Sequence, residues 1–436
     1  MKQLILKLLS WKLKKLAHLT LLKYKPSVIG ITGNVGKTST KIAIETVLKG
    51  ERKIRSSPKN FNNELGLPLS ILGDWNSTEQ GPRFWIEVIL ISVKNLIIRQ
   101  KDFPEVIVLE YGIDRPGDMN YLLSIARPQI GVVTAVGEIP VHVEFFTGPE
   151  GIAKEKGKLV QQLPATGFAM LNRDDEYTYA MRGDTRSRVV TFGFSDKAEM
   201  RVVNFTNFLD AETGYGGISF KLDYAGNVVP LKIAGTLGKT AAYASAAAAA
   251  VGLTFGMNLV KIAEALSNYQ GPQGRLRIIP GIKGTTLIDD TYNAALKSMI
   301  EALQTLKAAD PKRAIAVLGD MLEIGKYTMS AHEEVGRLAA KCADLLVTVG
   351  MRGKIIAEAA KNAGMPKQRI FPFDSLDEAG LFLEEHTRKG DLILVKGSQA
   401  TRMEKIIKVL MQSPLAAKET LVRQSHVWLA KPGMYE

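Results

Sequence analysis

Cysteine is almost absent from the 436 residues: Cys342 stands alone. A single thiol excludes an internal disulfide framework and any zinc site built from cysteine clusters, and it fits a reducing cytoplasm. Also missing is an apolar run long enough to span a membrane. The most leucine-rich stretch, residues 1–25, is interrupted by Lys2, Lys7, Lys12, Lys14, Lys15, Lys23 and Lys25. It carries no small-residue cleavage site of the kind that ends a signal peptide. Leu4, Ile5, Leu8, Leu9, Leu13, Leu16 and Leu22 between those lysines read as a basic amphipathic helix with Trp11 at its edge. Such a helix either packs on the next domain or touches a membrane surface. Carboxylates are the minority charge. The net charge of +13 admits nucleic acid, an anionic membrane or phosphorylated substrates as partners without choosing among them. At 46% hydrophobic and 23% charged residues, the composition is that of an ordinary globular protein, long enough for two or three domains.

What is present is organised around Val28-Ile29-Gly30-Ile31-Thr32-Gly33-Asn34-Val35-Gly36-Lys37-Thr38-Ser39-Thr40. A β-branched run stops at a glycine bend, and the bend opens onto helical spacing from Lys41 to Leu48. Strand, glycine loop and helix in that order form a phosphate cradle. Gly33 and Gly36 let backbone N–H groups approach an anion, the helix N-terminus adds its positive end, Lys37 adds a charge and Thr38 a hydroxyl for Mg²⁺. The loop from Gly33 through Asn34, Val35, Gly36, Lys37 and Thr38 to Ser39 is therefore the expected nucleotide site, in a G-x-x-G-K-T form with Ile31 where the longer pattern has glycine. A second stretch, Gly235-Thr236-Leu237-Gly238-Lys239-Thr240, looks like a copy. One domain needs only one such cradle, and this copy reads as a strand-to-helix turn.

Further along, Val106-Ile107-Val108-Leu109 is a buried-strand run that delivers Glu110 to a strand's carboxyl end, where open α/β sheets bind ligands. The run from Ile130 to Val136 leads to a loop with His142, then to a helix carrying Lys156. By itself His142 is open to two readings, a hydrogen-bonded structural residue or a ligand. Phe84 to Gln100 is another apolar helix, expected to pack on the N-terminal one through Leu90, Val93 and Ile97 against Leu9, Leu13 and Leu16. That arrangement leaves Lys7, Lys14 and Lys15 exposed. Strand runs at residues 286–288, 314–318, 345–349 and 392–395 alternate with helix-length segments such as 298–308 and 331–343, which reads as a separate α/β domain. His332, at the start of the latter helix, reads as a cap-region residue rather than a catalyst.

In order along the chain, the sequence resembles the Mur ligases, the ATP-dependent amide-bond enzymes of peptidoglycan assembly. The resemblance is carried by Thr32 through Thr38, Asn62-Asn63-Glu64-Leu65-Gly66-Leu67-Pro68, Glu110-Tyr111-Gly112, His142-Val143-Glu144 and Gly151 through Gly157. It continues with Gly274-Arg275-Leu276, Asp289-Asp290-Thr291-Tyr292-Asn293-Ala294, Leu318 through Glu323 and Val395-Lys396-Gly397-Ser398. The resemblance implies an α/β fold: a central P-loop ATPase domain with a mostly parallel sheet over residues 26–278, and a Rossmann-like ligase domain over 279–436. It implies ATP and Mg²⁺ as cofactors and an acyl phosphate as intermediate. The expected substrates are a UDP-linked N-acetylmuramoyl-tripeptide and the dipeptide D-alanyl-D-alanine. Lys37 is expected on the β- and γ-phosphates, Thr38 and Glu110 on one Mg²⁺, and His142 on a second. Lys156 matches a carbamylated lysine that bridges to metal, and Arg275, Asp290 and Asn293 reach the nucleotide from beyond the central domain.

Three departures bear on substrate handling. About 26 residues precede the cradle strand, fewer than a domain for the UDP end of a substrate requires. Thr240-Ala241 stands where the family has His-Asn, and Ala295-Leu296 and Gln399 stand where it has Asn-Pro and Arg. Another carboxylate, on a lipid-linked muropeptide or a poly-amino acid, is the alternative substrate, and a nucleotide-binding regulator without turnover is the non-enzymatic one. Lys37, Thr38, Glu110, His142 and Lys156 standing together argue for turnover.

Overall fold

The β-branched run ahead of the glycine loop forms a strand because both of its faces are covered. A computed structural model describes residues 2–57, 61–75, 81–140, 142–210 and 213–435, with side chains from Leu6 onward. The side chains of Lys2, Leu4 and Ile5 in the N-terminal segment therefore lie outside the described residues, as does Met1.

Helix α1 (Lys2–Tyr24) leads into β1 (Ser27–Thr32) and α2 (Lys37–Leu48). Then come β2 (Ile54–Ser56), α3 (Gly66–Leu72), α4 (Pro82–Ile97), β3 (Val106–Glu110), α5 (Asp118–Leu123), β4 (Ile130–Val133) and α6 (Pro149–Gln161). The sheet continues through β5 (Phe168–Asn172), α7 (Glu176–Ala180) and β6 (Arg188–Gly193) to a meander of β7 (Met200–Leu209), β8 (Gly216–Tyr224) and β9 (Asn227–Ala234). Helices α8 (Lys239–Thr254) and α9 (Leu259–Leu266) complete this half. Its nine strands run in the order β2-β3-β1-β4-β5-β6-β7-β8-β9. All neighbours are parallel as far as β7, and β7, β8 and β9 are antiparallel.

Alternation sorts the strand side chains into two cores. Val28, Ile107 and Leu109 face one layer of helices, while Ile29, Ile31, Val106 and Val108 face the other. On the second face α2 lies against α8. The alanine run of α8 is buried, and a Cβ on its Gly252 would come within 2.9 Å of Val47 on α2. Small side chains let these two helices approach closely, which holds α2, and so the loop before it, against the sheet.

The second sheet opens at β10 (Arg277–Pro280), two residues ahead of the expected division after 278, and continues with β11 (Thr286–Asp290). Then follow α10 (Leu296–Ala308), β12 (Arg313–Gly319), α11 (Thr328–Cys342), β13 (Leu345–Val349) and α12 (Gly353–Asn362). Strand β14 (Ile370–Phe373), α13 (Leu376–His386), β15 (Asp391–Lys396) and α14 (Glu404–Leu410) finish the domain, in strand order β10-β11-β15-β12-β13-β14. Only β10 is antiparallel to its neighbour. This is the α/β architecture the sequence predicts. His332 lies inside α11 rather than at its cap, fully buried, where its Nε2 accepts from Met321 N at 3.0 Å and so pins the turn after β12.

Helices α1 and α4 pack together as expected, with Leu13 buried and Leu9 and Leu16 packed against the core, but α4 turns a different face inward. Leu13 and Ala17 of α1 are fully buried, together with Ser10 and Thr20, on a stripe turned to α3 and α4. On α4 the buried positions are Val88 and Ser92, while Leu90, Val93 and Ile97 point outward at 64%, 40% and 78% exposure. Lys14 is not free either: it donates to Ser124 Oγ at 2.6 Å and lies over the Tyr121 ring. Leu8, Leu19 and Leu22 share the outer face of α1 with Lys12 and Lys15, so apolar side chains lie on both sides of the helix. On the buried side Leu13 is flanked by the small residues Ser10, Ala17 and Thr20, which allow close approach. Lys23 and Tyr24 donate to the carbonyls of Asn95 and Leu96, which ties the C-terminal ends of the two helices together and ends α4 at Ile97, short of the expected Gln100.

Because α1 is anchored by its inner stripe, Leu13→Ala should cost about 2–5 kcal/mol of stability. Ile97→Ala should stay within about 0.5 kcal/mol. Urea midpoints of the two variants test this; an unchanged midpoint for Leu13→Ala would mean that α1 does not belong to the fold.

Candidate active site

The glycine loop is clipped to the far end of β4. Asn34 N donates to Ala135 O at 2.6 Å, Asn34 Nδ2 to Val136 O at 2.9 Å, and Thr134 Oγ1 to Val35 O at 2.6 Å. Gly33 has φ +139°, and a Cβ there would collide with Thr134 Oγ1, so the tight approach requires glycine. Gly36, at φ +90°, turns the chain into α2. Ser39 is buried in the first turn of that helix. The N–H groups of this turn have no carbonyl ahead of them in the helix, so they are available to an anion.

Lys37 Nζ rests on Gly33 O at 2.7 Å, and burial pulls its ammonium below the ordinary lysine range. Thr38 Oγ1 lies 3.3 Å from Glu110 Oε2 at the end of β3. The other oxygen of Glu110 is 2.9 Å from Lys41 Nζ, and both side chains are almost wholly buried. Lys156 Nζ reaches across from α6 to Gly33 O at 3.1 Å. Burial first, and the Lys37 ammonium second, push its pKa well below the ordinary value. A lowered pKa brings the Lys156 amine closer to its nucleophilic, uncharged form.

His142 stands at φ +66°, in the left-handed region, and its direct partners are two carboxylates. Nδ1 is 3.0 Å from Glu323 Oε2, and Nε2 is 3.4 Å from Asp114 Oδ1. The hydrogen bond from His142 holds the Glu323 carboxyl below its usual range. Glu323 belongs to the turn after β12, so this contact joins the two halves of the chain.

From the second half, Asp290 pairs with Lys396 at 2.6 Å, both buried. Burial pushes the carboxyl up and the ammonium down, and their mutual contact opposes both shifts. Lys396 also donates to Asn293 O, and Asn293 Oδ1 accepts from the backbone of Ala294. Arg275 lies over the Tyr292 ring at 4.1 Å. One open cleft of about 660 Å³ brings together Asn34, Lys37, Thr38, Glu110, His142, Arg275 and Asn293. A narrow cavity behind the loop unites Val35, Gly36, Ser39, Arg275 and Asp290 with the half-buried Glu301. Lys156 lines neither; it sits beneath the loop. The chain's last turn supplies a further cleft wall through Trp428, Lys431 and Met434, held by Arg402, which donates to Trp428 O and Lys431 O at 2.9 Å each.

The second glycine stretch is a strand-to-helix turn. Leu237 N donates to Leu276 O, and Gly238 N to Asn207 Oδ1, so this turn docks on the link between domains. Among the described residues no group of three or more His, Cys, Asp or Glu is arranged to hold a metal alone. Thr38 and Glu110 present two hard oxygen donors side by side, which fits Mg²⁺ shared between protein and phosphate oxygens.

Lys41, Asp114 and Glu323 carry no role in the sequence analysis. Lys41 was within reach of it: it follows Lys37 by four residues and Thr38 by three, so it shares their helix face. The partners of His142 come from other segments, and no spacing announces them.

Known proteins resemble this chain in sequence and in fold. "Mur ligase middle domain" matches residues 90–252 and "Mur ligase, glutamate ligase domain" matches residues 274–399. The UDP-N-acetylmuramoyl-tripeptide--D-alanyl-D-alanine ligase of Bacillus subtilis is 29% identical over 406 residues, covering 93% of this chain and 80% of that protein. The enzyme of the same name from Mycobacterium tuberculosis is 31% identical over 406 residues, 88% of this chain and 73% of its own length. Among solved structures, MurF from Acinetobacter baumannii superposes with a TM-score of 0.72 at 25% identity, covering 91% of this chain and 79% of that one. Two matching domains in sequence order, relatives at this identity over most of their length, and a shared fold lead to one conclusion: the chain belongs to the Mur ligase family.

Proposed function

We propose that the protein joins D-alanyl-D-alanine to UDP-N-acetylmuramoyl-tripeptide with ATP, forming an amide in peptidoglycan precursor synthesis. The observation that carries this reading is the single cleft in which Lys37, Thr38 and Glu110 face Arg275 of the link between domains and Asn293 of the second domain. The relatives of that name cover most of the chain and support the choice of substrates.

The chemistry follows from the side chains. ATP would lie with its phosphates on the N–H groups of residues 33–38, its β- and γ-oxygens against the Lys37 ammonium. Thr38 and Glu110 would hold Mg²⁺, which supplies charge neutralisation on the transferring phosphoryl group. A tripeptide carboxylate oxygen attacks the γ-phosphorus, the bond to the bridging oxygen breaks, and ADP leaves. The dipeptide amine then attacks the acyl carbon, the C–O bond to phosphate breaks, and the amine loses a proton as the amide forms. Positioning does much of this work, because holding both reactants in one cleft makes each step effectively intramolecular. Both ATP and a UDP-linked substrate belong to the cytoplasm, which is where we assign the protein.

His142, clamped between Asp114 and Glu323, bridges the domains, so it would sense their closure as well as serve a second metal ion. Lys156 would act as its carbamate. Burial and the Lys37 ammonium both favour loss of its proton, the free amine would add CO₂, and the resulting anion would be favoured beside Lys37, where an ammonium is repelled. A lipid-linked muropeptide would offer the same carboxylate, and the outer faces of α1 and α4 favour that second carrier.

Phosphate release should require ATP, Mg²⁺, muropeptide and dipeptide together; ADP formed at the same rate without the dipeptide would overturn the ligase reading. Offering the UDP-linked and the lipid-linked muropeptide in turn decides the carrier by kcat/KM. Lys156→Ala should lower kcat by roughly 10²–10³, in the range for losing a preorganised charged group, with partial recovery in short carboxylic acids. Full activity without them would remove the carbamate from the mechanism.

A further inference from the structure

Among the described residues, 23 large apolar side chains are exposed, and ten of them lie on α1, on α4 or at Ile98 just after it. They are ordered. On α1 the outer stripe is Leu8, Trp11, Leu19 and Leu22, with Lys15 at the position between Trp11 and Leu19. On α4 it is Ile86, Leu90, Val93 and Ile97. Both sets follow the three- and four-residue steps of one helix face. Each stripe is opposite its helix's buried side, so the core of the protein accounts for neither. The helices are neighbours, tied together where Lys23 and Tyr24 meet Asn95 and Leu96. A soluble monomer rarely leaves two adjacent apolar stripes bare.

Charge says what covers them. Residues 2–25 hold seven lysines and no carboxylate, and residues 82–101 hold four cations and Glu87 alone. These two segments thus carry ten of the thirteen net positive charges of the chain. Lys7, Lys12 and Lys15 on α1, and Lys94 on α4, are exposed among the apolar side chains. Lys15 Nζ lies 4.2 Å from the centre of the Trp11 ring, a pairing in which an amphipathic ring and a long cation sit at one level. A second copy of the chain would set ten positive charges against ten, which disfavours self-association through this face. An apolar stripe in a field of cations matches a surface that is apolar inside and anionic outside.

We infer that the outer stripes of α1 and α4 form a docking surface for an anionic phospholipid bilayer. The helices lie flat in the interface: leucine, isoleucine and tryptophan enter the acyl boundary, and the lysines meet the headgroup phosphates. Neither helix crosses, since no described helix is long and apolar enough to do so. This is a binding surface outside the cleft, and it requires nothing of the ligase reaction.

Cosedimentation of the full chain with vesicles tests it. Vesicles of phosphatidylglycerol mixed with phosphatidylcholine should carry the protein down, pure phosphatidylcholine should do so at least about tenfold less well, and added salt should weaken the binding. Leu90→Asn with Ile97→Asn should lower the partition coefficient about tenfold while phosphate release in solution stays unchanged. Should that variant fail to fold, the unaltered chain decides: its emission should shift to the blue on anionic vesicles, and the Trp11→Phe chain should lack that shift. Three results each overturn the inference. They are no binding of the unaltered chain to anionic vesicles, equal binding by the folded double variant, and a dimer in solution that the double variant turns into a monomer.

Discussion

A buried carboxylate cannot stand alone, and Glu110 is buried at the end of a central parallel strand. Its oxygens are divided between Lys41, at 2.9 Å, and the Thr38 hydroxyl, at 3.3 Å. Taking either charge out of water costs several kcal/mol, and their attraction offsets that only when the geometry is close. The pair therefore ties the rotation of α2 to the exit of β3. With α2 fixed, its first turn and Lys37 face the cleft, and the glycine loop has one path back to β1. The alanine-lined contact of α8 supports the same helix from its other side. Phosphate chemistry needs donors in place before the charge develops, and this packing supplies that preorganisation.

The parts of the fold that could be read from sequence are those with a local signature. A β-branched run before a glycine bend and a helix after it identify β1, the loop and α2 without further knowledge. Strands β3, β4, β11, β12, β13 and β15 are buried on both faces, so their apolar runs stand out. Strand β14 was missed because it contains Pro372 and lies at a sheet edge. Strands β7 and β8 were missed because one face of each is partly exposed and polar residues break the run. The face that α4 buries differs from the expected one for a related reason: an apolar run marks a helix but does not say which side a neighbour will take. On α4 the small Ser92 and Val88 take the buried side.

For the site, residues on one element were legible and residues meeting across elements were not. Lys37, Thr38 and Lys41 share a helix face, so their association is implied by spacing. Asp114, His142 and Glu323 come from three loops, and their meeting depends on how two sheets sit against each other. The pairing of Asp290 with Lys396 belongs to adjacent parallel strands, β11 and β15, which are more than a hundred residues apart in the chain. Local chemistry is written in the sequence; the register between domains emerges only with the whole fold.

The uneven charge of the molecule has a consequence for its motion. The sequence isoelectric point of about 9.5 describes no typical patch of this surface, because the two helical segments hold most of the excess and the rest of the chain is nearly neutral. The protein is thus a strong electric dipole. Near a charged boundary such a body feels a torque before it makes any contact, and it turns its basic flank forward within about a Debye length, roughly 8 Å at physiological ionic strength. Its orientation at first encounter is set by that torque, ahead of any short-range recognition.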